Sequence, residues 1–162
     1  MTYDKIAKGY NELHGEEQVK KAEIIKEVLL KKKQSGLLLD IGGGTGISTE
    51  VFVKEFDCII LDPCEELLEE EPATCVKILG SAEELPFSDK KFDVIISLTA
   101  LHHADLTLAF KEIKRVAKDD AFIAISFLKQ AKNIKEFETV FRSSCDNVEV
   151  IDEGKDLIFF NS

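Results

Sequence analysis

The sequence predicts an α/β fold, a doubly wound and mostly parallel sheet, on three observations. Short aliphatic runs at 36–41 (GLLLDI), 57–62 (DCIILD), 91–97 (KFDVIIS) and 121–127 (AFIAISF) are continuous rather than alternating, as in strands covered on both faces. Helical patterns lie among them, with apolar residues three or four apart. The first run passes directly into a glycine-rich turn, the place where such sheets open a ligand crevice.

In chain order, Val19, Ala22, Ile25, Val28 and Leu29 make the first amphipathic helix, and Lys31 to Lys33 followed by Gly36 stop it. The strand at 36–41 runs into the glycine turn and then a helix, and the strand at 57–62 follows. The acidic run Glu65, Glu66, Glu69, Glu70, Glu71 reads as the solvated face of a short helix. A weaker strand, CVKIL at 75–79, precedes the strand at 91–97. Leu106, Phe110, Ile113 and Ala117 mark a helix before the strand at 121–127. The tail offers NVEVI (147–151) and DLIFFN (156–161) around Glu153-Gly154, an antiparallel hairpin that closes a seven-stranded sheet. Right-handed crossovers then place function after residues 40, 61, 80 and 97.

The 162 residues are expected to form a single domain, 1–162, with no repeat or low-complexity stretch to divide it. With 44% apolar and 32% charged residues, the composition is that of a globular protein, and no segment has the length of a membrane span. The polar start signals neither secretion nor insertion, so the expected location is cytoplasmic. A net charge of −10, from 31 acidic and 21 basic residues, disfavours a nucleic-acid partner. Cys58, Cys64, Cys75 and Cys145 form no CxxC pair and no zinc spacing, and read as reduced structural thiols with no metal.

The turn reads Asp40-Ile41-Gly42-Gly43-Gly44-Thr45-Gly46-Ile47-Ser48. It lacks the Gly-Lys-Ser/Thr ending of a P-loop. It also fails dinucleotide spacing, because Ile47 stands three after Gly44 and Thr49 three after Gly46. A nicotinamide-dependent oxidoreductase is opposed on that ground. Asp62 falls 20 residues after Gly42, the separation at which an acid meets ribose hydroxyls, while Asp62-Pro63 also suits a helix start. The register favours ribose.

The form Asp-x-Gly-x-Gly-x-Gly at 40–46 resembles the signature of class I S-adenosylmethionine-dependent methyltransferases, and further segments are similar to the ubiquinone/menaquinone-biosynthesis (type 11) branch. The resemblance implies a Rossmann-like fold, S-adenosylmethionine as cofactor and methyl transfer to an acceptor. It implies that Asp40 holds the amino-acid end of the cofactor while Gly42, Gly43, Gly44 and Gly46 make room. Gly80-Ser81-Ala82-Glu83-Glu84-Leu85-Pro86-Phe87 resembles the family's adenine-contacting Gly-Asp-Ala-x-x-Leu-Pro-Phe, but Ser81, a weaker acceptor, replaces the usual Asp. Glu83 or a backbone carbonyl is a substitute, although Glu83 and Glu84 read as exposed. After Ser97, the segment Leu98 to Asp105 is similar to the family's small-residue and His-rich turn beneath the methyl group. His102 or His103 is then a candidate general base; the alternative is that one of them caps the next helix or packs on the sheet.

Arg115 to Ala121 replaces the family's Leu-Lys-Pro-Gly-Gly turn. Residues 1–18, with Tyr3-x-x-x-Ala7-x-x-Tyr10, resemble a lid segment in which Tyr10 covers the cofactor, or equally a surface helix with Ile6 and Tyr10 packed down. The acceptor is expected to be a small molecule or a protein, with the pocket open or completed by a second subunit or partner. The alternative to a stand-alone enzyme is a non-catalytic S-adenosylmethionine-binding module that needs a partner.

Overall fold

The computed structural model describes residues 3–70 and 74–162, with the first helix's side chains described from residue 15 onward. The elements are α1 (Tyr3–Leu29), β1 (Gly36–Ile41), β2 (Phe56–Asp62), a single turn α2 (Glu65–Leu68), β3 (Val76–Leu79), β4 (Phe92–Leu98), α3 (Leu106–Val116), β5 (Ala117–Leu128), α4 (Ile134–Ser144), β6 (Val148–Asp152) and β7 (Asp156–Asn161). The strands form one sheet in the order β3-β2-β1-β4-β5-β7-β6. β1, β2, β3, β4 and β5 are parallel to their neighbours, and β7 joins β5 and β6 antiparallel.

Both faces of the central strands are covered, which explains their unbroken apolar sequence. On one face Ala22, Ile25 and Leu29 of α1 pack with Phe52 against Leu38, Cys58, Val94, Ile96, Ala124 and Phe160. On the other, Phe110 and Ile113 of α3 and Phe137 and Phe141 of α4 pack against Leu39, Ile95, Ile125 and Phe159. An aromatic ladder runs through that second layer: Phe137 stacks on Phe127 with centroids 4.3 Å apart and meets Phe159 edge-on at 5.1 Å.

The structure departs from the sequence expectations in three places. The glycine turn leads not into a helix but into a short 3-10 turn at Thr49–Phe52, because α1 already covers the sheet face beneath it. Helix α4 was not expected, although Phe137 and Phe141 stand four apart and are fully buried. No turn separates α3 from the next strand, since Arg115 to Ala121 contains neither Gly nor Pro. Ala117 pairs with Phe92, and the strand continues through a register shift to Leu128. Among the described residues, no helix is long and apolar enough to cross a membrane.

Candidate cofactor site

At the carboxyl end of β1 the chain reverses by left-handed backbone at Gly42 (φ +72°), Gly44 (+56°) and Gly46 (+87°). Gly42 N–H donates to the Leu61 carbonyl at 2.7 Å, so the turn leaves the sheet still tied to β2. Gly42 is required by contact as well as by conformation, and Gly43 by contact. A Cβ on Gly42 would stand 2.4 Å from the Ala100 methyl, and one on Gly43 would stand 2.9 Å from Cγ of Asp40 and from Ile60.

Asp40 therefore lies beneath the turn and is 1% exposed. Its Oδ2 accepts from Thr49 Oγ1 at 2.6 Å, and its Oδ1 has no partner among the described residues. Burial pushes the Asp40 carboxyl up to about 7; the Thr49 hydrogen bond opposes this and the nearby Asp62 adds to it.

Asp62 ends β2 and divides its carboxylate between two backbone donors, Gly44 N–H at 2.9 Å and Cys64 N–H at 2.8 Å. It braces the glycine turn against β2. The N-cap residue of α2 is Cys64, so the helix-start role foreseen for Asp62 is performed one step removed, by accepting from the Cys64 amide. Burial raises the Asp62 pKa, and the two backbone bonds oppose that rise.

The loop after β3 is held by a residue that sequence reasoning treated as part of a turn. Arg115, near the end of α3, donates to the carbonyls of Leu85 (2.9 Å) and Phe87 (2.8 Å) and pairs with Glu112 and Asp89. Glu112 in turn accepts from Leu85 N–H at 3.2 Å. Two loop carbonyls and one amide are thus fixed to α3, which sets the wall carrying Ser81, Ala82 and Glu83. The Arg115→Ala variant is expected to lose about 1–2 kcal/mol of stability, as charge-assisted hydrogen bonds to half-exposed backbone are given up to water. Thermal unfolding several degrees below wild type, with weakened cofactor binding by calorimetry, checks this.

Beyond β4, Ser97 is fully buried and its hydroxyl donates to the Ile41 carbonyl at 2.8 Å, joining the ends of β4 and β1. The two histidines part company. His102 stacks on Phe127 (4.4 Å between centroids), its Nε2 accepts from Leu128 N–H at 3.2 Å, and burial lowers its pKa. His103 is exposed on the other side of the turn. Neither caps α3; Asp105 does, accepting from Leu108 N–H at 3.0 Å.

These strand ends enclose a cavity of about 250 Å³. Ile41, Gly42, Leu61, Ala100 and Leu101 form its apolar walls, Ser81, Ala82 and Glu83 one edge, and Pro63, His103 and Ala104 the remainder. Of the residues named from sequence, Gly42, Pro63, Ser81, Ala82 and His103 come together here. Asp40, Gly43, Gly44, Gly46, Asp62 and Ser97 do not border it, and His102 packs on Phe127. The side chain of Tyr10 lies outside the described residues. Glu83, read as exposed, is half-buried against the cavity, whereas Glu84 is exposed. Ala100 and Leu101 belong to the turn foreseen after Ser97, whereas Leu61, inside β2, was not foreseen.

A doubly wound sheet with an antiparallel final strand, and a glycine turn opening on an apolar cavity at the strand ends, defines the class I methyltransferase architecture. A family model described as a methyltransferase domain matches residues 39–125, and the chain belongs to that family, whose cofactor is S-adenosylmethionine. Protein MJ1252 of Methanocaldococcus jannaschii is 31% identical over 87% of this chain and 54% of its own length. The chain spans about half the length of these curated relatives, protein MJ0638 of Methanocaldococcus jannaschii among them. A Methanococcus maripaludis structure assigned to the S-adenosyl-L-methionine-dependent methyltransferases superposes with a TM-score of 0.80 at 18% identity, over 100% of this chain and 94% of that one. A Haloferax volcanii methyltransferase-like chain, solved in complex with the Trm112 methyltransferase activator, superposes with a TM-score of 0.69 at 18% identity, covering 93% and 77%.

Proposed function

We propose that the chain binds S-adenosylmethionine in the cavity at the ends of β1, β2 and β4 and transfers its methyl group to a small-molecule or protein acceptor. The observation that carries this reading is the apolar cavity of about 250 Å³ at the strand ends, which the glycine turn borders through Gly42, packed too closely on Ala100 to admit a side chain. The residues present fit the group: apolar walls at Leu61, Ala82 and Leu101 suit a flat ring, and Ser81 and Glu83 supply polar acceptors at its edge. Asp40 adds a buried carboxylate oxygen without a partner beneath the turn, suited to a cationic ligand above it.

When bound, S-adenosylmethionine supplies a methyl group already activated by its sulfonium, so the protein's task is mainly positioning. Asp62 holds the Gly44 amide and so sets the turn that borders the cavity. Arg115 and Glu112 hold the Ser81 wall. His103, at the cavity, is the group placed to accept a proton from the acceptor, while His102 positions the turn through Phe127.

Calorimetric titration with S-adenosylmethionine and S-adenosylhomocysteine tests the proposal. Wild type is expected to bind both, and Gly42→Ala to bind at least roughly tenfold more weakly, because its Cβ meets Ala100 and its backbone is left-handed. The Ala100→Gly second substitution is expected to restore part of that loss. No binding by wild type overturns the reading.

A second reading, a binding module active only with a partner, is favoured by the likeness to the activator-bound Haloferax chain. Cofactor binding without turnover on any acceptor until a partner is added distinguishes it from the first.

A further inference from the structure

Two of the four cysteines meet near the outer edge of the sheet. The parallel register of β2 with β3 runs from Ile59 opposite Val76 to Asp62 opposite Leu79. Continued one residue toward the start, it sets Cys58 opposite Cys75. Both pack on the face that α1 covers, Cys58 within that layer and Cys75 against it. Paired strands lie about 4.8 Å apart, inside the roughly 4.4–6.8 Å separation of Cα atoms that a disulfide bridges. The Cys58 S–H has two acceptors in reach, the Phe56 carbonyl at 3.6 Å and the Cys75 sulfur. Both thiols are free in this structure. The other two cysteines are placed elsewhere. Cys64 lies past the far end of β2, where its thiol donates to Glu66 at 3.5 Å, and Cys145 is buried in the opposite layer.

The two sulfurs are unequal. Donation from Cys58 favours the Cys75 thiolate and lowers its pKa; burial opposes this, Thr74 assists it, and the nearby Glu50 and Asp40 oppose it. The same hydrogen bond, together with burial, keeps Cys58 protonated. Cys58 is 9% exposed while Cys75 is half-buried, so a reagent from solvent reaches Cys75 first. An accessible sulfur that ionises more readily, beside a buried one that keeps its proton, is the arrangement of an attacking and a resolving thiol.

The strand this pair would secure is the least secured in the sheet. β3 has four residues, stands at the edge and pairs with β2 alone. Val76 and Leu79 on it are 60% and 56% exposed. A short edge strand with bare apolar side chains opens at low cost and can pair with another chain. Its carboxyl end leads to Gly80 and the Ser81 wall of the cavity at the strand ends.

We propose that Cys58 and Cys75 are a peroxide-responsive thiol pair whose disulfide staples β3 to β2. The Cys75 thiolate attacks hydrogen peroxide, an S–O bond forms, the O–O bond breaks and hydroxide leaves, giving a sulfenic acid. The Cys58 sulfur then attacks the Cys75 sulfur; the S–S bond forms, the S–O bond breaks, and the departing hydroxide takes the Cys58 proton as water. In sum, two thiols lose two protons and two electrons, and one peroxide becomes two waters. The bond closes the segment between residues 58 and 75 into a loop, which restricts the unfolded chain.

Treatment of the reduced chain with excess hydrogen peroxide, in wild type and in Cys64→Ser/Cys145→Ala, tests this. The variant retains only Cys58 and Cys75 as thiols. It is expected to lose both to alkylating reagent, to become lighter by two hydrogens at the linked peptides and to remain a single chain. Its Tm is expected to rise by about 5–10 °C, as is that of wild type, and dithiothreitol is expected to reverse the rise. Adding Cys75→Ser, at the half-buried position, is expected to abolish both the link and the rise. Retention of both thiols, a sulfinic acid at Cys75 without a link, a covalent dimer, or a linked chain whose Tm does not rise overturns the proposal.

Discussion

Lys21→Met is expected to destabilise the protein by about 3–5 kcal/mol, because it leaves Asp156 fully buried with its charge uncompensated. Thr99 still donates to Oδ2, but one neutral hydroxyl does not replace an ammonium. For a domain of this size the loss corresponds to a fall in Tm on the order of 10 °C. The double variant Lys21→Met/Asp156→Leu removes both charges from the same space and is expected to recover most of the difference, since a buried pair replaced as a whole by apolar groups costs little. Urea and thermal unfolding of the four-member cycle measures both effects. Equal losses in the single and double variants would mean that the pair's packing, rather than its charge balance, supports the turn after β4.

Asp40 makes stability depend on pH in a direction opposite to that of a salt-bridged acid. Burial disfavours the ionised form and pushes its carboxyl from the ordinary 3.8 up to about 7 in the folded chain. The folded state therefore holds a proton that the unfolded state has released between those two values. Stability declines as pH rises from about 4 to about 7, then levels off. The full difference is roughly 4 kcal/mol. Asp40→Asn keeps an acceptor for the Thr49 hydroxyl and removes the titration. It is expected to match wild type near pH 4 and to exceed it by an increasing margin toward neutrality. Unfolding free energies at unit pH intervals measure this. A flat difference between the two proteins would place Asp40 in contact with water and remove its claim to be a buried, unpartnered carboxylate. Cofactor binding is expected to draw the Asp40 pKa back down, since a cation above the turn favours the ionised form.

The β-strands were legible because burial on both faces leaves an unbroken aliphatic run, and GLLLDI, DCIILD and AFIAISF are such runs. The hairpin was legible from alternation around Gly154. Helix α4 was not read although Ile134, Phe137, Val140 and Phe141 fall three or four apart; the segment is short, and Asn133 at its start makes no side-chain cap. The glycine turn was readable as a ligand turn from Asp40 to Gly46, yet its individual residues did not declare which would face a ligand and which would brace the turn. Asp62 illustrates the difficulty. Its spacing from Gly42 is that of a ribose acceptor, while its two oxygens are held by Gly44 and Cys64. Arg115 escaped notice because its partners, Leu85, Phe87, Asp89 and Glu112, include three that lie at least 26 residues away.

By itself the sequence determined the layered α/β architecture, the order of most elements, the methyltransferase family and the strand ends where ligands meet the protein. All of these follow from local periodicity and from short contiguous motifs. Tertiary structure alone decided that His103 borders the cavity while His102 packs on Phe127, that Gly42 faces Ala100, and that Lys21 and Asp156, 135 positions apart, share one buried site. The physical reason is that these are contacts between elements distant in the chain. Their geometry is set by how α1, the turn after β4 and the start of β7 pack together, and no pattern within any one of those segments encodes it.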